Sequence, residues 1–83
     1  MKILYFARFR QMIGRGSDEI SLPAEITTVS ALLEHLIATD QDCAAAFADQ
    51  RTLRVAVDQN HSALDASIVG AREVAFFPPV TGG

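Results

Sequence analysis

Two consecutive glycines at the end of the sequence, Gly82 and Gly83, have the clearest potential for chemistry. A C-terminal carboxylate is ionised at about pH 7. It is a poor acyl donor because oxide is a poor leaving group, so another enzyme would have to activate it. Glycine has no Cβ, and its backbone can therefore pass through a narrow channel and be approached from either face. We predict that the Gly83 carboxylate is the reactive group and that Gly82 occupies such a channel.

The residues before these glycines favour an extended tail that leaves a β-strand. Residues 73–77 form a strand-like run, and Pro78 and Pro79 end it because proline donates no N–H to a sheet ladder. At about 3.3–3.6 Å per residue, segment 78–83 could extend roughly 20 Å from the folded body. A frayed terminus is the alternative interpretation. We predict a folded domain over residues 1–77 and a tail of Pro78, Pro79, Val80, Thr81, Gly82 and Gly83.

The other reactive side chains form no catalytic set in the sequence. Cys43 is the single cysteine and lies in an alanine-rich run, which favours a small core residue over a catalytic thiol. His35 has no second histidine or cysteine at a metal-ligand spacing. Residues 14–16 lack the third glycine and the lysine of a phosphate-binding loop. We therefore predict no metal site and no cofactor bound by this chain.

Both ends of the chain closely resemble a known family. Residues 73–83 and the opening residues 2–10 are similar to those of the small subunits of molybdopterin synthase, which are ubiquitin-like sulfur carriers. The middle of the chain matches this family in pattern more than in residues. An acidic turn residue and aliphatic residues are more usual in the family at two places, occupied here by Ala71 and Arg72 and by His61 and Ser62.

The resemblance implies a reaction cycle at Gly83. An adenylating partner enzyme would activate the carboxylate with ATP, and a persulfide sulfur would displace AMP and leave a thiocarboxylate. The tail would then enter the large subunit of the synthase and give sulfur to cyclic pyranopterin monophosphate, which forms the dithiolene of molybdopterin. Catalytic acids and bases would belong to that large subunit, in an expected heterotetramer of two small and two large subunits.

The resemblance also implies where the partner binds. In the family the residue just before the prolines packs into the partner, so Phe77 is expected to be an aromatic interface anchor. A core position is the alternative for this residue. Arg8 and Arg10 are further candidate contacts, with ordinary solvated charges as the alternative.

Other functions stay open on the sequence alone. Sulfur carriers for thiamine thiazole or tRNA thiolation share the Gly-Gly end but as a rule lack the Phe-Phe-Pro-Pro-Val segment before it. A ubiquitin-like modifier would join its own C-terminus to target lysines. A plain interaction module with an inert tail is a third possibility.

Composition limits the class of protein further. A chain of 83 residues makes one domain, and 49% apolar residues are enough for a core. The net charge of −3 and the absence of a basic stripe argue against a grip on nucleic-acid phosphates and favour a protein partner. The apolar run after Lys2 ends at Arg8, too early for a signal peptide or a membrane span. We expect a cytoplasmic protein without a membrane or nucleic-acid partner.

The elements that would position the tail begin with a predicted pair of strands. Residues 2–9 carry apolar groups on both faces, which is typical of a central strand. Alternation places Ile3, Tyr5, Ala7 and Phe9 on one face and Leu4 and Phe6 on the other. A helical turn over residues 9–14 is compatible with the sequence, and a second strand over residues 17–22 would stop before Pro23.

Two helices are predicted in the middle of the chain. Residues 27–28 can cap the first, whose apolar side chains recur at the spacing of one helix face, namely Val29, Leu32, Leu33, Leu36 and Ile37. Residues 40–50 form a second, short helical segment with Asp40 or Asp42 near its start and Phe47 turned inward.

Three further strands complete the predicted order. They cover residues 53–57, a short segment 61–64, and residues 73–77. If the first and last strands lie side by side, a right-handed crossover packs the main helix on one face of a mixed sheet of four to five strands. The predicted class is therefore α+β with the β-grasp fold, which the family resemblance also implies.

Overall fold

Five strands and three helices form the described part of the chain, residues 1–79 of the computed structural model. The predictions for Val80, Thr81, Gly82 and Gly83 lie outside the described residues. The elements are β1 (Lys2–Tyr5), α1 (Ala7–Ile13), β2 (Ser17–Glu19), α2 (Val29–Thr39), α3 (Gln41–Ala46), β3 (Arg54–Val57), β4 (Asn60–Ser62) and β5 (Glu73–Phe77). Within residues 1–79, none of the helices has the length and apolar character needed to cross a membrane.

The strands form one mixed sheet in the order β2-β1-β5-β3-β4. The first and last strands run parallel and side by side, with Lys2 opposite Glu73 and Tyr5 opposite Phe76. The other pairs, β1 with β2, β3 with β5 and β3 with β4, are antiparallel. Because α2 shares the core with one face of this sheet, the predicted β-grasp fold is confirmed.

The strands nearest the sheet edges are shorter than predicted, whereas the central last strand is not. The strand predicted over residues 17–22 ends three residues earlier, as β2, and the one predicted over 53–57 begins one residue later, as β3. The strand predicted over 61–64 is β4, which begins one residue earlier and ends two residues earlier. β5 has the predicted bounds, because Pro78 and Pro79 stop its ladder.

The helix predicted after residues 27–28 is confirmed as α2. Thr28 Oγ1 accepts a hydrogen bond from the backbone N–H of Ala31 at 3.2 Å, which satisfies a group that a helix start leaves free. Four residues of the predicted stripe are buried and Ile37 is partly buried. The buried core beneath the helix includes Ile3, Tyr5, Val55, Val74 and Phe76 of the sheet.

The second predicted helix is present as α3, but it ends at Ala46, so residues 47–50 of the predicted segment are not helical. Asp40 is its N-cap residue, and Asp40 Oδ1 accepts hydrogen bonds from the N–H groups of Asp42 at 2.8 Å and Cys43 at 3.2 Å. Cys43 is fully buried, which confirms its prediction as a core residue.

The prediction of a strand over residues 2–9 is wrong beyond Tyr5. Ala7 has a φ of 53°, in the left-handed region, so the chain turns there and α1 begins. Ala7 is consequently exposed instead of lying on a buried strand face. Phe9 still reaches the core, but it does so from the helix. The helical turn expected over residues 9–14 is thus a longer helix that begins two residues earlier.

An aromatic cluster fills the core beside the end of β5. The ring centroid of Phe47 lies 5.2 Å from that of Phe9, 5.1 Å from that of Phe76 and 6.3 Å from that of Tyr5, in tilted arrangements. Such aromatic pairs add to the free energy of area burial. Phe47 is fully buried, as predicted, and the cluster anchors the end of β5 to the body of the domain.

Candidate functional site

The predicted tail starts from the middle of the sheet. β5 is paired with β1 on one side and β3 on the other, and the backbone N–H of Phe6 also donates to the carbonyl of Phe76 at 3.1 Å. Pro78 and Pro79 follow and are half-buried. Hydrogen bonds on both sides therefore fix the point from which the chain continues.

Phe76 and Phe77 point to opposite faces of the sheet because side chains alternate along a strand. Phe76 is fully buried in the core. Phe77 is half-buried on the face that carries no helix of the described chain. Phe76 therefore faces the core and Phe77 the open face, whereas the role of Phe77 as a partner anchor stays a prediction.

A shallow groove of about 450 Å³ runs across this open face. We call it the open-face groove, and it is lined by Leu4, Phe6, Ala56, Gln59, His61, Glu73, Ala75 and Phe77. The groove is deepest at its centre because the small side chains of Ala56 and Ala75 lie opposite each other on β3 and β5. The larger Leu4 lies opposite Ala75 on the other side. A concave, largely apolar surface beside the tail base is suited to a protein partner.

Phe6 forms an exposed rim of the open-face groove and was not identified as a site residue from the sequence. Its side chain is 47% exposed, which is high for a phenylalanine. The left-handed turn at Ala7 ends the strand directly after it. Alternation had placed Leu4 and Phe6 together on the second face of β1, and that was the available signal.

The two arginines predicted at the interface lie on α1 and not in the open-face groove. Arg8 donates from Nη2 to the side-chain oxygen of Thr52 and, at 3.4 Å, to its carbonyl oxygen, and its guanidinium lies 5.0 Å from the ring centre of Phe9. Arg10 is exposed and lies over Gly16, where an added Cβ would come within 3.3 Å of the guanidinium carbon. A partner contact by either arginine stays a prediction.

A polar cluster that the sequence did not reveal links β1 and β2 to the start of α3. Tyr5 donates its hydroxyl to Asp18 at 2.9 Å, while Arg15 donates to Asp18 at 2.8 Å and to Asp40 at 2.6 Å. Hydrogen bonds from Arg15 lower the pKa of both carboxyl groups. Burial raises the pKa of the Cys43 thiol and of the Tyr5 hydroxyl, so the thiol is held in its unreactive form and the cluster is a structural one.

His35, for which no role as a metal ligand is predicted, is half-buried on α2. Among residues 1–79, no group of three or more histidine, cysteine, aspartate or glutamate side chains is placed to hold a metal ion.

The chain is similar to known proteins along its whole length. A family model described as the ThiS family matches residues 3–83. A relative from Escherichia coli (strain K12), named molybdopterin synthase sulfur carrier subunit, is 40% identical over 83 residues, which cover 100% of this chain and 99% of the relative. A solved structure of a putative molybdopterin converting factor, subunit 1, from Pyrococcus furiosus is 30% identical, with a TM-score of 0.70 over 95% of both chains. The crystal structure of SAMP1 from Haloferax volcanii shares the fold, with a TM-score of 0.74 at 21% identity over 99% of this chain and 97% of that chain.

Proposed function

The chain belongs to the ThiS family, and we propose that it is the sulfur carrier subunit of a molybdopterin synthase. The observation that carries this proposal is the full-length similarity, at 40% identity, to a relative of that name. The sequence of the tail supports it, since residues 78–83 end in the two glycines that such chemistry requires.

In the proposed cycle the Gly83 carboxylate attacks the α-phosphorus of ATP in an activating enzyme and releases pyrophosphate. A persulfide sulfur then attacks the acyl carbon and AMP leaves. Cleavage of the resulting acyl disulfide by a thiol gives the thiocarboxylate, which donates its sulfur in the large subunit to cyclic pyranopterin monophosphate. Gly82 passes through the channel of the partner, and Pro78 and Pro79 direct the tail towards it.

The open-face groove supports this proposal because it offers a binding surface on the folded domain, apart from the reactive group proposed at Gly83. A partner that covers Phe6 and Phe77 would bury two aromatic side chains, the residue type most often found to dominate binding energy. Phe77 also lies at the end of β5, directly before Pro78. Docking on the groove would therefore fix the start of the tail relative to the partner's active site.

Intact-mass analysis of the protein from its native cells tests the proposed function. We expect a fraction of the chain to carry sulfur in place of one terminal oxygen, and we expect this species to disappear in a variant that lacks Gly83. Wild-type protein incubated with the purified activating enzyme, ATP and a sulfur donor is the positive control.

The same measurement distinguishes the other functions. A ladder of higher masses, with this chain joined to lysines of other proteins, would indicate a modifier. Sulfur on Gly83 without formation of molybdopterin in the presence of the large subunit would indicate a carrier for another thiolation pathway. An unmodified chain under all conditions would indicate an interaction module and contradict the proposal.

A further inference from the structure

Two basic side chains flank Phe77 on the open face of the sheet. Arg54 lies directly opposite Phe77 in the β3–β5 ladder, so the two side chains share a face. The His61 ring meets the Phe77 ring nearly edge-on, with centroids 5.3 Å apart and an interplanar angle of 71°. This contact crosses β3 above Ala56, which lies opposite both His61 and Ala75 and is too small to separate the rings.

The positive charge of Arg54 is available to a partner. Its Nη1 donates to the carbonyl oxygens of Leu53 at 3.0 Å and Arg51 at 3.4 Å, which holds the guanidinium in place. Within residues 1–79 no carboxylate lies within ion-pair distance of Arg54. Asp49, five residues before Arg54 in the sequence, is bound to Arg51, with 3.0 Å between the charged atoms.

The other end of the open-face groove is electrostatically different. Glu73 is the one carboxylate among the groove residues of the described chain, and it lies opposite Lys2 in the β1–β5 ladder. Negative and positive charge are therefore neighbours at that end. At the end where Phe77 and the tail base lie, Arg54 and His61 present hydrogen-bond donors without a carboxylate beside them in the groove.

We propose that Arg54 and His61 are specificity-determining residues that select a large subunit bearing a carboxylate beside the pocket that receives Phe77. This inference rests on the proposed function, because it describes the partner of that same docking surface. When the groove is covered, a guanidinium without an anionic neighbour loses its water at a large cost in free energy. A carboxylate opposite it offsets that cost, and a partner with an apolar rim does not.

His61 contributes in two ways to this selection. Its ring packs against Phe77 and holds the phenylalanine side chain in place for docking. No hydrogen bond of its ring nitrogens is formed within residues 1–79. An N–H of the imidazole is thus free to donate to the same acidic group on the partner.

The test is a calorimetric titration of the full-length chain with its cognate large subunit, at low and at high salt. We expect Arg54→Glu to weaken binding roughly tenfold at low salt, because charge reversal places like charges in contact. The difference from wild type should shrink at about 1 M salt, where the Debye length is only about 3 Å. His61→Leu, which keeps an apolar contact with Phe77, should weaken binding roughly two- to tenfold through the lost hydrogen bond.

Arg72→Glu is the matched control. Arg72 is an exposed arginine just before the start of β5, at the opposite end of the strand from Phe77, and the change in net charge is identical. We expect it to bind as wild type does. Equal weakening by both glutamate variants would reduce the effect to net charge and overturn the inference, as would unchanged binding by Arg54→Glu. Unchanged binding by His61→Leu would show that His61 does not contribute to the selection of the partner. If the wild-type chain itself does not bind the large subunit, the proposed function fails, which is a distinct result.

Discussion

Replacement of Phe6 by alanine tests whether the open-face groove is the docking surface. Phe6 is 47% exposed in the isolated chain. A phenylalanine side chain buries roughly 200 Å² when fully covered, so about 90 Å² of Phe6 remains for a partner to cover. At about 25 cal/mol per Å², this area corresponds to about 2 kcal/mol of binding free energy. We therefore expect Phe6→Ala to raise the Kd for the large subunit roughly thirtyfold.

The same substitution should also lower the stability of the isolated chain. Phe6 lies outside the buried core, but about half of its side chain, roughly 100 Å², is already covered in the isolated chain, which corresponds to at most about 2–3 kcal/mol of unfolding free energy. The assay pairs a calorimetric titration against the large subunit with urea unfolding of the free variant. A loss of affinity for a variant that is less stable but still folded under the conditions of the titration is the expected combination.

Met12→Ala is the control for this prediction. Met12 is 50% exposed, close to the value for Phe6, but it lies on α1 and outside the open-face groove. We expect this variant to bind the large subunit as wild type does. If Phe6→Ala binds normally, or if both variants lose affinity equally, the assignment of docking to the groove is refuted.

Four other outcomes are expected. Phe77→Ala should weaken association with the large subunit by about 1–3 kcal/mol, and unchanged affinity with lowered stability would assign Phe77 to the core. Deletion of Gly83 should abolish sulfur transfer and leave the thermal unfolding midpoint unchanged, whereas normal product formation would contradict the proposed cycle. Ala7→Gly should raise the free energy of unfolding by about 0.5 kcal/mol, because a left-handed φ costs an L-residue about 1–2 kcal/mol and the flexibility of glycine cancels part of the gain; a lower denaturant midpoint would contradict this. Asp18 and Asp40 have folded pKa values below the ordinary 3.8, so their stabilising contribution is present above that pH and lost as pH falls through the lowered values. Unfolding of Asp18→Asn over a pH series should show a smaller acid loss than wild type, and an equal loss would exclude Asp18 as a source of it.

The elements that the sequence predicted well are those with a strong local signal. The stripe of α2 repeats at helical spacing from Val29 onward, and Thr28 supplies the cap. β5 ends where Pro78 removes a backbone donor, so its C-terminal end follows from covalent structure alone. Both features are independent of the rest of the fold, and the structure confirms both.

The error at residues 6–9 has a physical cause. The residues Tyr5 and Phe9 are four apart, a spacing that places both on one face of a strand and on adjacent turns of a helix. The local pattern therefore does not decide between the two. In the helix, Phe9 packs against Phe47, which is distant in sequence. The left-handed backbone conformation of the exposed Ala7 turns the chain from β1 into this helix.

The candidate site was only partly accessible from the sequence for a related reason. Alternation along the first strand places Leu4 and Phe6 on one face, but the groove between Phe6 and Phe77 depends on the register between strands. Ala56 and Ala75 form its floor because β3 and β5 pair with these two residues opposite each other. The contact of His61 with Phe77 depends on the same register. No local pattern contains that information.

The central position of β5 connects the fold to the proposed chemistry. A tail that followed an edge strand would be held by one neighbour, and its base would move with fraying of that edge. β5 is instead held by β1 and β3 along its length, and Phe76 is packed in the aromatic cluster on one face while Phe77 borders the groove on the other. Under the proposed function, a partner that docks at the groove would therefore contact the strand that directly precedes the tail. A carrier of the proposed kind needs this fixed relation between docking surface and tail base, and an interaction module with an inert tail does not.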